Sequence, residues 1–309
     1  MTRCSDAARA RGDQLAGTAT RMPTWLILEH AGSWGQDAWR DARLPDGLGS
    51  EIIRRCEAAN VRPLLARRPV PPGGHQPVDA EHRPRAWIAR SSVTAPWLAT
   101  TVLDDPRDLL DLEVSTLATT APRGWELTDE PFFGVCTHGR HDACCAIRGR
   151  PVAAALAAAE PDATWEVSHI GGDRFAANLL VLPEGLYYGG LDPATVVTVA
   201  ATHRRHGVDL EHLRGRSTWS MPVQAALIAL RRHLGDIALT EPSNVRAERT
   251  EHGWEITANS GGQRWAIDVT RQAPPAVPLT CSARAPGIPW RHTASEPRVV
   301  SRPRRDDLA

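Results

Sequence analysis

The sequence contains no lysine: all 36 of its Lys and Arg positions are arginine, and 36 acidic side chains balance them. A chain without net charge has no overall basic field that would favour nucleic acid or an anionic membrane. We therefore expect neither among its partners. The hydrophobic fraction of 42% and the charged fraction of 23% are typical of a soluble globular protein, and 309 residues leave room for two domains or one large one.

Long apolar segments are missing as well. No uninterrupted apolar run approaches the roughly 18 residues needed to span a bilayer. The first residues, MTRCSDAARARGDQLAG, lack the apolar region of a signal peptide, so we expect a cytoplasmic protein. In that reducing compartment cysteines are more often thiols or metal ligands than disulfides. The six cysteines are Cys4, Cys56, Cys136, Cys144, Cys145 and Cys281.

Alternating strand-like and helix-like patterns predict an N-terminal α/β domain over residues 1–125. TWLILEH (24–30) is typical of a buried strand, and GLGSEIIRRCEAAN (47–60) of a helix that places Cys56 on its apolar face. PVPPGGHQPVDAEHRP (69–84) predicts a loop, and DPRDLLDLEVSTLA (105–118) a helix capped by its first Asp.

A second α/β unit is predicted over residues 126–240. PFFGVCTHG reads as a strand that runs into a loop, and RPVAAALAAAE (150–160) as a helix with Pro151 in its first turn. TWEVSHIGGDRFAANLLVLPEGLYYGGL (164–191) predicts a strand, a Gly-rich loop and a hairpin turned at PEG, and two amphipathic helices follow. The pattern indicates an α/β/α sandwich of thioredoxin-like size. A small β-rich segment (241–300) and a disordered tail (301–309) complete the prediction.

The stretch FFGVCTHGRHDACCAIRGRP (132–151) concentrates thiols and imidazoles, and SHIGGDRFAAN adds two further polar groups around a Gly-Gly bend. The residues involved are Cys136, His138, His141, Cys144, Cys145, His169 and Asp173. Zinc knuckles use ligands two to four residues apart, which fits poorly with the spacing of Cys136 and Cys145. A catalytic Cys136–His138 pair and loop thiols without any ligand are the alternatives that the residues leave open.

The motifs CTHGRHDACCAIRGRPVAAAL and WEVSHIGGDRFAANLLVLPEGLYYGGL closely resemble the sucrase/ferredoxin-like family. RCSDAARARGDQLAGTA, WLILEHAGSWGQDAWRDARL and the late PLTC resemble its bacterial members. The resemblance implies a thioredoxin-like ferredoxin domain. For the preceding α/β domain we favour, separately from the resemblance, a second, degenerate thioredoxin-like unit. It also implies a [2Fe–2S] cluster held by two cysteines and by two histidines in an H-x-G-G-H pattern.

Carried over residue by residue, the resemblance implies Cys136, Cys145 and His169 as ligands, with Cys144 as an alternative. The second histidine falls on Asp173, which departs from the family pattern. Carboxylate is a harder ligand than imidazole and adds negative charge, so we expect a more labile cluster of lower potential. An alternative is that Asp173 only braces the Gly-Gly loop by pairing with Arg174 or Arg140. We assign no ligand role to Cys4 or Cys281.

The function implied by the resemblance is electron transfer, with a flavin-dependent or ferredoxin-type reductase as the electron donor. No paired-carboxylate arrangement indicates glycoside hydrolysis, so we expect an electron carrier rather than an enzyme. One alternative is an iron-free thiol redox protein or sensor that uses Cys136, Cys144 and Cys145. A second is a degenerate, non-redox binding scaffold. The basic segment HLRGRSTWS (212–220) is interpreted as a solvated charged turn, with docking of a negatively charged redox partner as the alternative.

Overall fold

The structure is a computed structural model that describes residues 2–70, 83–240 and 242–301. Residues 71–82 of the predicted loop at 69–84 lie outside the described residues, as does the predicted disordered tail from residue 302 onward. No helix within the described ranges has the length and apolar character required to cross a membrane.

Ten strands of the described chain form one curled mixed sheet, and the first half of the chain supplies five of them. The elements of this half are α1 (Cys4–Ala10), β1 (Thr24–Glu29), α2 (Ala38–Asp41), α3 (Leu48–Ala58), β2 (Val61–Arg67), β3 (Arg85–Arg90), β4 (Trp97–Val102) and β5 (Glu126–Leu127). Strand β1 pairs parallel with β2 and antiparallel with β3, which pairs antiparallel with β4. The strand at 24–30 and the helix at 47–60 are confirmed.

The prediction of a helix at 105–118 is wrong, because the segment forms two short 3-10 helices, Pro106–Asp111 and Val114–Thr116. Asp105 does cap the first turn, because its side chain accepts from the backbone N–H of Arg107 at 2.7 Å. Leu109 and Val114 are both buried in the core beside α3. Five residues apart, they would lie about 140° apart around an α-helix, so one straight helix would not bury both.

The second half of the chain supplies the other five strands. Its elements are β6 (Phe132–Cys136), α4 (Ala143–Ala159), β7 (Thr164–Val167), β8 (Leu179–Leu182), β9 (Leu186–Tyr188), α5 (Pro193–Arg204), β10 (Leu213–Arg216) and α6 (Met221–Leu234). Strand β6 pairs parallel with β7 and antiparallel with β8, and β8 pairs antiparallel with β9. The predicted hairpin at PEG is therefore confirmed.

Helix α4 begins seven residues earlier than predicted. Asp142 is its N-cap, since the Asp142 carboxylate accepts from the backbone N–H of Cys144 at 2.8 Å. Pro151 consequently lies inside the helix rather than in its first turn. Cys144 and Cys145, expected in a loop, occupy the first turn of α4.

The two halves share one topology. In each, the first two strands are parallel, the third is antiparallel to the first, and the fourth pairs with the third, which gives the orders β2-β1-β3-β4 and β7-β6-β8-β9. This is the strand arrangement of a thioredoxin-like unit. The equivalent strands β2 and β7 pair antiparallel, at Ala66–Val167 and Arg67–Glu166, so the sheet runs without a break across the predicted boundary at 125.

The sheet curls strongly, and aromatic side chains fill its inner face. Trp25 on β1 and Tyr187 on β9 have ring centroids 6.1 Å apart, although five strand spacings of about 4.8 Å each would separate their strands in a flat sheet. Trp87 packs in the same core against Phe132 and Trp165, with centroid distances of 5.2 and 4.5 Å. This shared core binds the two units into one body.

A separate antiparallel sheet forms the β-rich segment that was predicted after residue 240. Its strands are β11 (Ser243–Thr250), β12 (Gly253–Ser260), β13 (Gln263–Gln272), β14 (Arg291–Ala294) and β15 (Arg298–Ser301). Apolar residues of β12 and β13 pack with the buried face of α6. The segment 273–290 between β13 and β14 is largely exposed.

Candidate functional site

Two of the predicted cysteines meet where strand β6 ends and helix α4 begins. Cys136 is the last residue of β6, and Cys145 lies in the first turn of α4; each side chain is about 1% exposed. Gly149 allows this approach, because a Cβ at that position would lie 2.2 Å from the carbonyl oxygen of Cys136. The helix therefore rests directly on the end of the strand and brings the two thiols together.

The second half of the site is the Gly-Gly loop that follows β7. Gly171 and Gly172 have φ angles of 95° and 85°, a region that side-chain-bearing residues rarely adopt. Asn178 donates to the carbonyl oxygen of Gly172 at 2.9 Å. This tight bend turns His169 and Asp173 toward the two thiols.

Arg214 holds the Gly-Gly loop from beneath. Its guanidinium donates to the carbonyl oxygen of Gly171 at 2.9 Å, to Asn178 Oδ1 at 2.8 Å and to the carbonyl oxygen of Thr18 at 2.7 Å. Burial lowers the pKa of Arg214 to about 10, so the side chain stays charged at neutral pH. The interpretation of 212–220 as a solvated turn is wrong for this residue, because β10 buries Arg214 to 2% exposure to satisfy the loop.

The structure brings together the four residues to which the sequence pointed. Cys145 Sγ lies 3.2 Å from Asp173 Oδ1, and His169 Nδ1 lies 3.0 Å from the same oxygen. The ligand atoms of Cys136, Cys145 and His169 all lie within 4.8 Å of one another. The alternative pairing of Asp173 with Arg174 does not occur, since Arg174 pairs with Asp13 instead.

The electrostatics of the site favour a thiolate at Cys136. A hydrogen bond from the Cys145 thiol and the nearby imidazole of His169 hold the pKa of Cys136 well below its usual range, in spite of burial. Burial opposes the charged form of His169, but Asp173 and Cys136 raise its pKa to about 9. Burial likewise opposes ionisation of Asp173, and contact with His169 lowers its pKa nevertheless. The thiolate is the form of cysteine that binds metal.

Two further histidines belong to the site. The His141 ring stacks on the His169 ring at 3.7 Å, and His141 Nε2 lies 4.0 Å from Asp173 Oδ2. His138 Nδ1 accepts from the backbone N–H of His169 at 3.2 Å, and its Nε2–H donates to the carbonyl oxygen of Gly35 at 2.7 Å. His138 was expected only as the partner of a catalytic Cys136, and His141 had no expected role; the signal for both is the spacing C-x-H-x-x-H after a buried strand.

The N-terminal unit completes the walls of the site. Arg62 on β2 donates to the carbonyl oxygen of His169 at 2.8 Å, and the loop of Gly35 holds His138. A cleft of about 740 Å³ opens between the two units, and its wall includes His138, His141 and His169. The histidine side of the site therefore faces this cleft, whereas the cysteine side is buried.

The remaining cysteines lie elsewhere. Cys144 points away from Cys136 and toward Cys4 and Cys281, so the geometry does not support it as an alternative member of this site. Cys56 is fully buried in the core beneath α3, as its helix face predicted.

Comparison with known proteins identifies a family for most of this region. The model of the sucrase/ferredoxin-like family matches residues 15–215, which is about two thirds of the chain and includes every residue of the site described above. No curated protein and no solved structure matches the chain.

Proposed function

The chain belongs to the sucrase/ferredoxin-like family, and from this premise we propose that it is an electron-transfer protein whose [2Fe–2S] cluster is held by Cys136, Cys145, His169 and Asp173. The observation that carries the proposal is the convergence of these four side chains from two separate loops. Cys136 and Cys145 belong to the buried core, but packing alone does not account for the convergence, because it concentrates ionisable groups where the interior would otherwise be apolar.

The donor set suits an iron–sulfur group. Iron–sulfur clusters take thiolates as ligands, and in some centres imidazoles replace two of the four. His169 Nδ1 is buried and forms an ion-pair contact with Asp173 Oδ1 at 3.0 Å that lacks the alignment of a hydrogen bond. A buried nitrogen without an aligned hydrogen bond, beside two thiols, supports a ligand role for His169.

The fourth position is the unusual one. Asp173 supplies a carboxylate that is 4% exposed and lies in contact with both Cys145 and His169. Its negative charge would lower the potential of the cluster relative to a two-imidazole set. His141, stacked on His169, is the second candidate for this position because its Nε2 lies 4.0 Å from Asp173.

When bound, the cluster supplies reversible one-electron chemistry. The residues of the chain hold it, orient it and set its surroundings. Arg214 places a buried positive charge beneath the Gly-Gly loop, which offsets the negative charge of thiolates and carboxylate. Arg62 and His138 fix the backbone of His169. Loss of a proton from a ligating imidazole on oxidation would make the potential depend on pH.

The proposal extends to the electron donor. His169 has a side chain that is 22% exposed at the cleft, whereas the two cysteines are enclosed. The shortest path for an electron from the protein surface to the cluster therefore begins at the cleft. We propose that a flavin-dependent or ferredoxin-type reductase docks there.

A second candidate function is an iron-free thiol redox protein. The lowered pKa of Cys136, its contact with Cys145 and the thioredoxin-like strand order favour it. In that case Cys136 and Cys145 would form a disulfide, with both electrons passing to an oxidised partner thiol pair. Trapping of thiols followed by mass spectrometry separates the two functions, since only the thiol protein cycles between a Cys136–Cys145 disulfide and free thiols.

Electron paramagnetic resonance of the dithionite-reduced protein tests the leading proposal. We expect the signal of a reduced [2Fe–2S] cluster, with hyperfine coupling to nitrogen that disappears in His169→Ala. His203→Ala, which removes a buried histidine of α5 that packs against Phe133, serves as the control and should keep the coupling. A signal without nitrogen coupling would remove His169 from the ligand set, and no signal after reconstitution would contradict the proposal.

A further inference from the structure

A second group of thiols lies behind the first turn of α4. Cys4, Cys144 and Cys281, which we call the three-thiol cluster, have Sγ–Sγ distances of 3.3 Å for Cys144–Cys281, 3.5 Å for Cys4–Cys281 and 3.6 Å for Cys4–Cys144. All six cysteines of the chain are free. The three come from parts of the chain at least 137 residues apart, so the fold has collected them at one point.

Asp142 adds a carboxylate to the cluster. Both of its oxygens lie 3.8 Å from Cys4 Sγ. Each of the four residues offers one ligand atom, and these four atoms all lie within 4.8 Å of one another. The backbone N–H groups of Cys144 and Cys281 donate to the two oxygens at 2.8 and 2.6 Å, which fixes the carboxylate. A carboxylate has about four lone-pair sites, so two such bonds leave capacity for a further ligand interaction.

We propose that Cys4, Cys144, Cys281 and Asp142 form a binding site for a single zinc ion, separate from the iron–sulfur site. Tetrahedral zinc with Zn–S bonds of about 2.3 Å places its sulfur ligands about 3.8 Å apart. The three thiols therefore need to separate by only a few tenths of an ångström. Three mutually adjacent sulfurs suit one ion better than a two-iron cluster, because each iron of such a cluster takes only two protein ligands.

The chemistry of the donors selects zinc. Thiolates favour soft or borderline ions, and the carboxylate as fourth ligand disfavours copper(I). Packing alone does not explain the cluster. Cysteine is often a small buried residue, but Cys281 is exposed, so burial does not account for its place in the cluster. That exposure also gives the ion a path of entry.

The ion would fasten three remote parts of the fold. Cys4 begins α1, Cys144 lies in the first turn of α4, and Cys281 lies in the largely exposed segment 273–290. Few buried apolar side chains hold that segment, so a metal bond would supply what packing does not. The family match at 15–215 contains only one of the three cysteines, and the zinc site does not depend on the iron–sulfur proposal.

Metal analysis of the complete chain tests the zinc site. We expect about one zinc per chain in protein purified under anaerobic conditions and washed with a weak chelator. Zinc content should fall to about one tenth in Cys281→Ser, whose exposed position makes unfolding improbable as a cause. It should stay unchanged in Cys56→Ser, the control in which a buried cysteine of a different core cluster is replaced. Less than about 0.2 zinc per chain in the wild type would overturn the proposal.

The Cys136→Ser variant separates the two sites. Zinc that persists in this variant and disappears in Cys281→Ser belongs to the three-thiol cluster. Zinc that follows Cys136 occupies the other site and overturns the proposal. X-ray absorption at the zinc edge of Cys136→Ser should give three sulfurs at about 2.3 Å and one oxygen at about 2.0–2.2 Å. Fewer sulfurs, or a disulfide between any two of the three cysteines in anaerobic protein, would contradict it.

Discussion

Cys144 and Cys145 are neighbours in the chain, yet their thiols enter different clusters. Cys144 Sγ lies 3.3 Å from Cys281 Sγ, and Cys145 Sγ lies 3.2 Å from Asp173 Oδ1. Side chains of successive residues in an α-helix point about 100° apart. The first turn of α4 can therefore direct one thiol into each of the two clusters. The helix is fixed at this point by the Asp142 cap and by Gly149, which lets it rest on Cys136.

This relationship predicts opposite effects for two adjacent substitutions. Cys145→Ser should lose the iron and keep the zinc, whereas Cys144→Ser should lose the zinc and keep most of the iron. Serine has the same shape as cysteine and is only slightly smaller, so the helix itself should persist. Iron and zinc are counted in both variants by atomic spectrometry. Loss of both metals in both variants would mean that the two clusters are not independent.

The carboxylate at position 173 should limit retention of the iron–sulfur cluster. Asp173→His replaces a hard, anionic ligand with the imidazole of the family pattern, so we expect slower loss of visible absorption in air. Asp173→Ala should lose the cluster faster than the wild type. Asp192→Ala, which removes an exposed capping carboxylate at the start of α5, is the control and should leave the rate unchanged. An equal or faster loss in Asp173→His would exclude Asp173 from the ligands.

The Gly-Gly loop predicts a stability difference between two glycines of similar backbone geometry. Gly172 has φ 85° and Gly124 has φ 80°, but a Cβ at Gly172 would lie 2.4 Å from the Arg214 guanidinium, whereas Gly124 faces open space. Gly124→Ala should cost about 1 kcal/mol of unfolding free energy through backbone strain alone. Gly172→Ala should cost about 1–3 kcal/mol more, since it also displaces a buried cation. Urea denaturation measures both, and equal costs would contradict the role given to Arg214.

We expect the folded state to lose stability in acid because of the buried side chain of His203. Burial, followed by the nearby Arg204 and Arg216, lowers its pKa to about 4. The unfolded chain therefore binds more protons than the native state between about pH 6.5 and pH 4, and stability falls as the pH drops through that window. The contribution of His203 to this loss of unfolding free energy reaches about 3 kcal/mol at pH 4. Glu184, whose own pKa is raised by burial, acts in the opposite direction.

Substitution of His203 isolates its contribution. In His203→Leu the difference in unfolding free energy between pH 7 and pH 4.5 should shrink by about 2 kcal/mol. His252→Leu, at an exposed position in the turn after β11, should leave the difference as it is in the wild type. An unchanged pH dependence in His203→Leu would show that another group carries it.

Local sequence pattern was enough to predict most of the fold. An apolar run predicted β1, the pattern of the second unit predicted β6 and β7, and the PEG turn predicted the β8–β9 hairpin, whereas β10 lies within the segment that was interpreted as a charged turn. The predictions were wrong where tertiary packing determines the local structure. Residues 105–118 form two 3-10 helices instead of one α-helix, and α4 begins well before Pro151, at its Asp142 cap. The curl of the sheet and the β2–β7 junction are long-range pairings, which no local pattern encodes.

The site was predictable in part for a similar reason. Cys136, Cys145, His169 and Asp173 lie in two short motifs, so the resemblance to the family could indicate them. The role of Arg214 was not predictable, because its partners at Gly171 and Thr18 are remote in the chain. The three-thiol cluster was equally hidden, since its cysteines come from both ends and the middle of the sequence.

The measurement that tests the central claim most directly is the content of iron and acid-labile sulfide in anaerobically purified protein, read together with its visible spectrum. A [2Fe–2S] cluster predicts two irons and two sulfides per chain, with absorption that bleaches on reduction. The same preparation of Cys136→Ser should be colourless. A wild-type protein that holds less than about 0.2 iron per chain, even after reconstitution with iron and sulfide, would contradict the account.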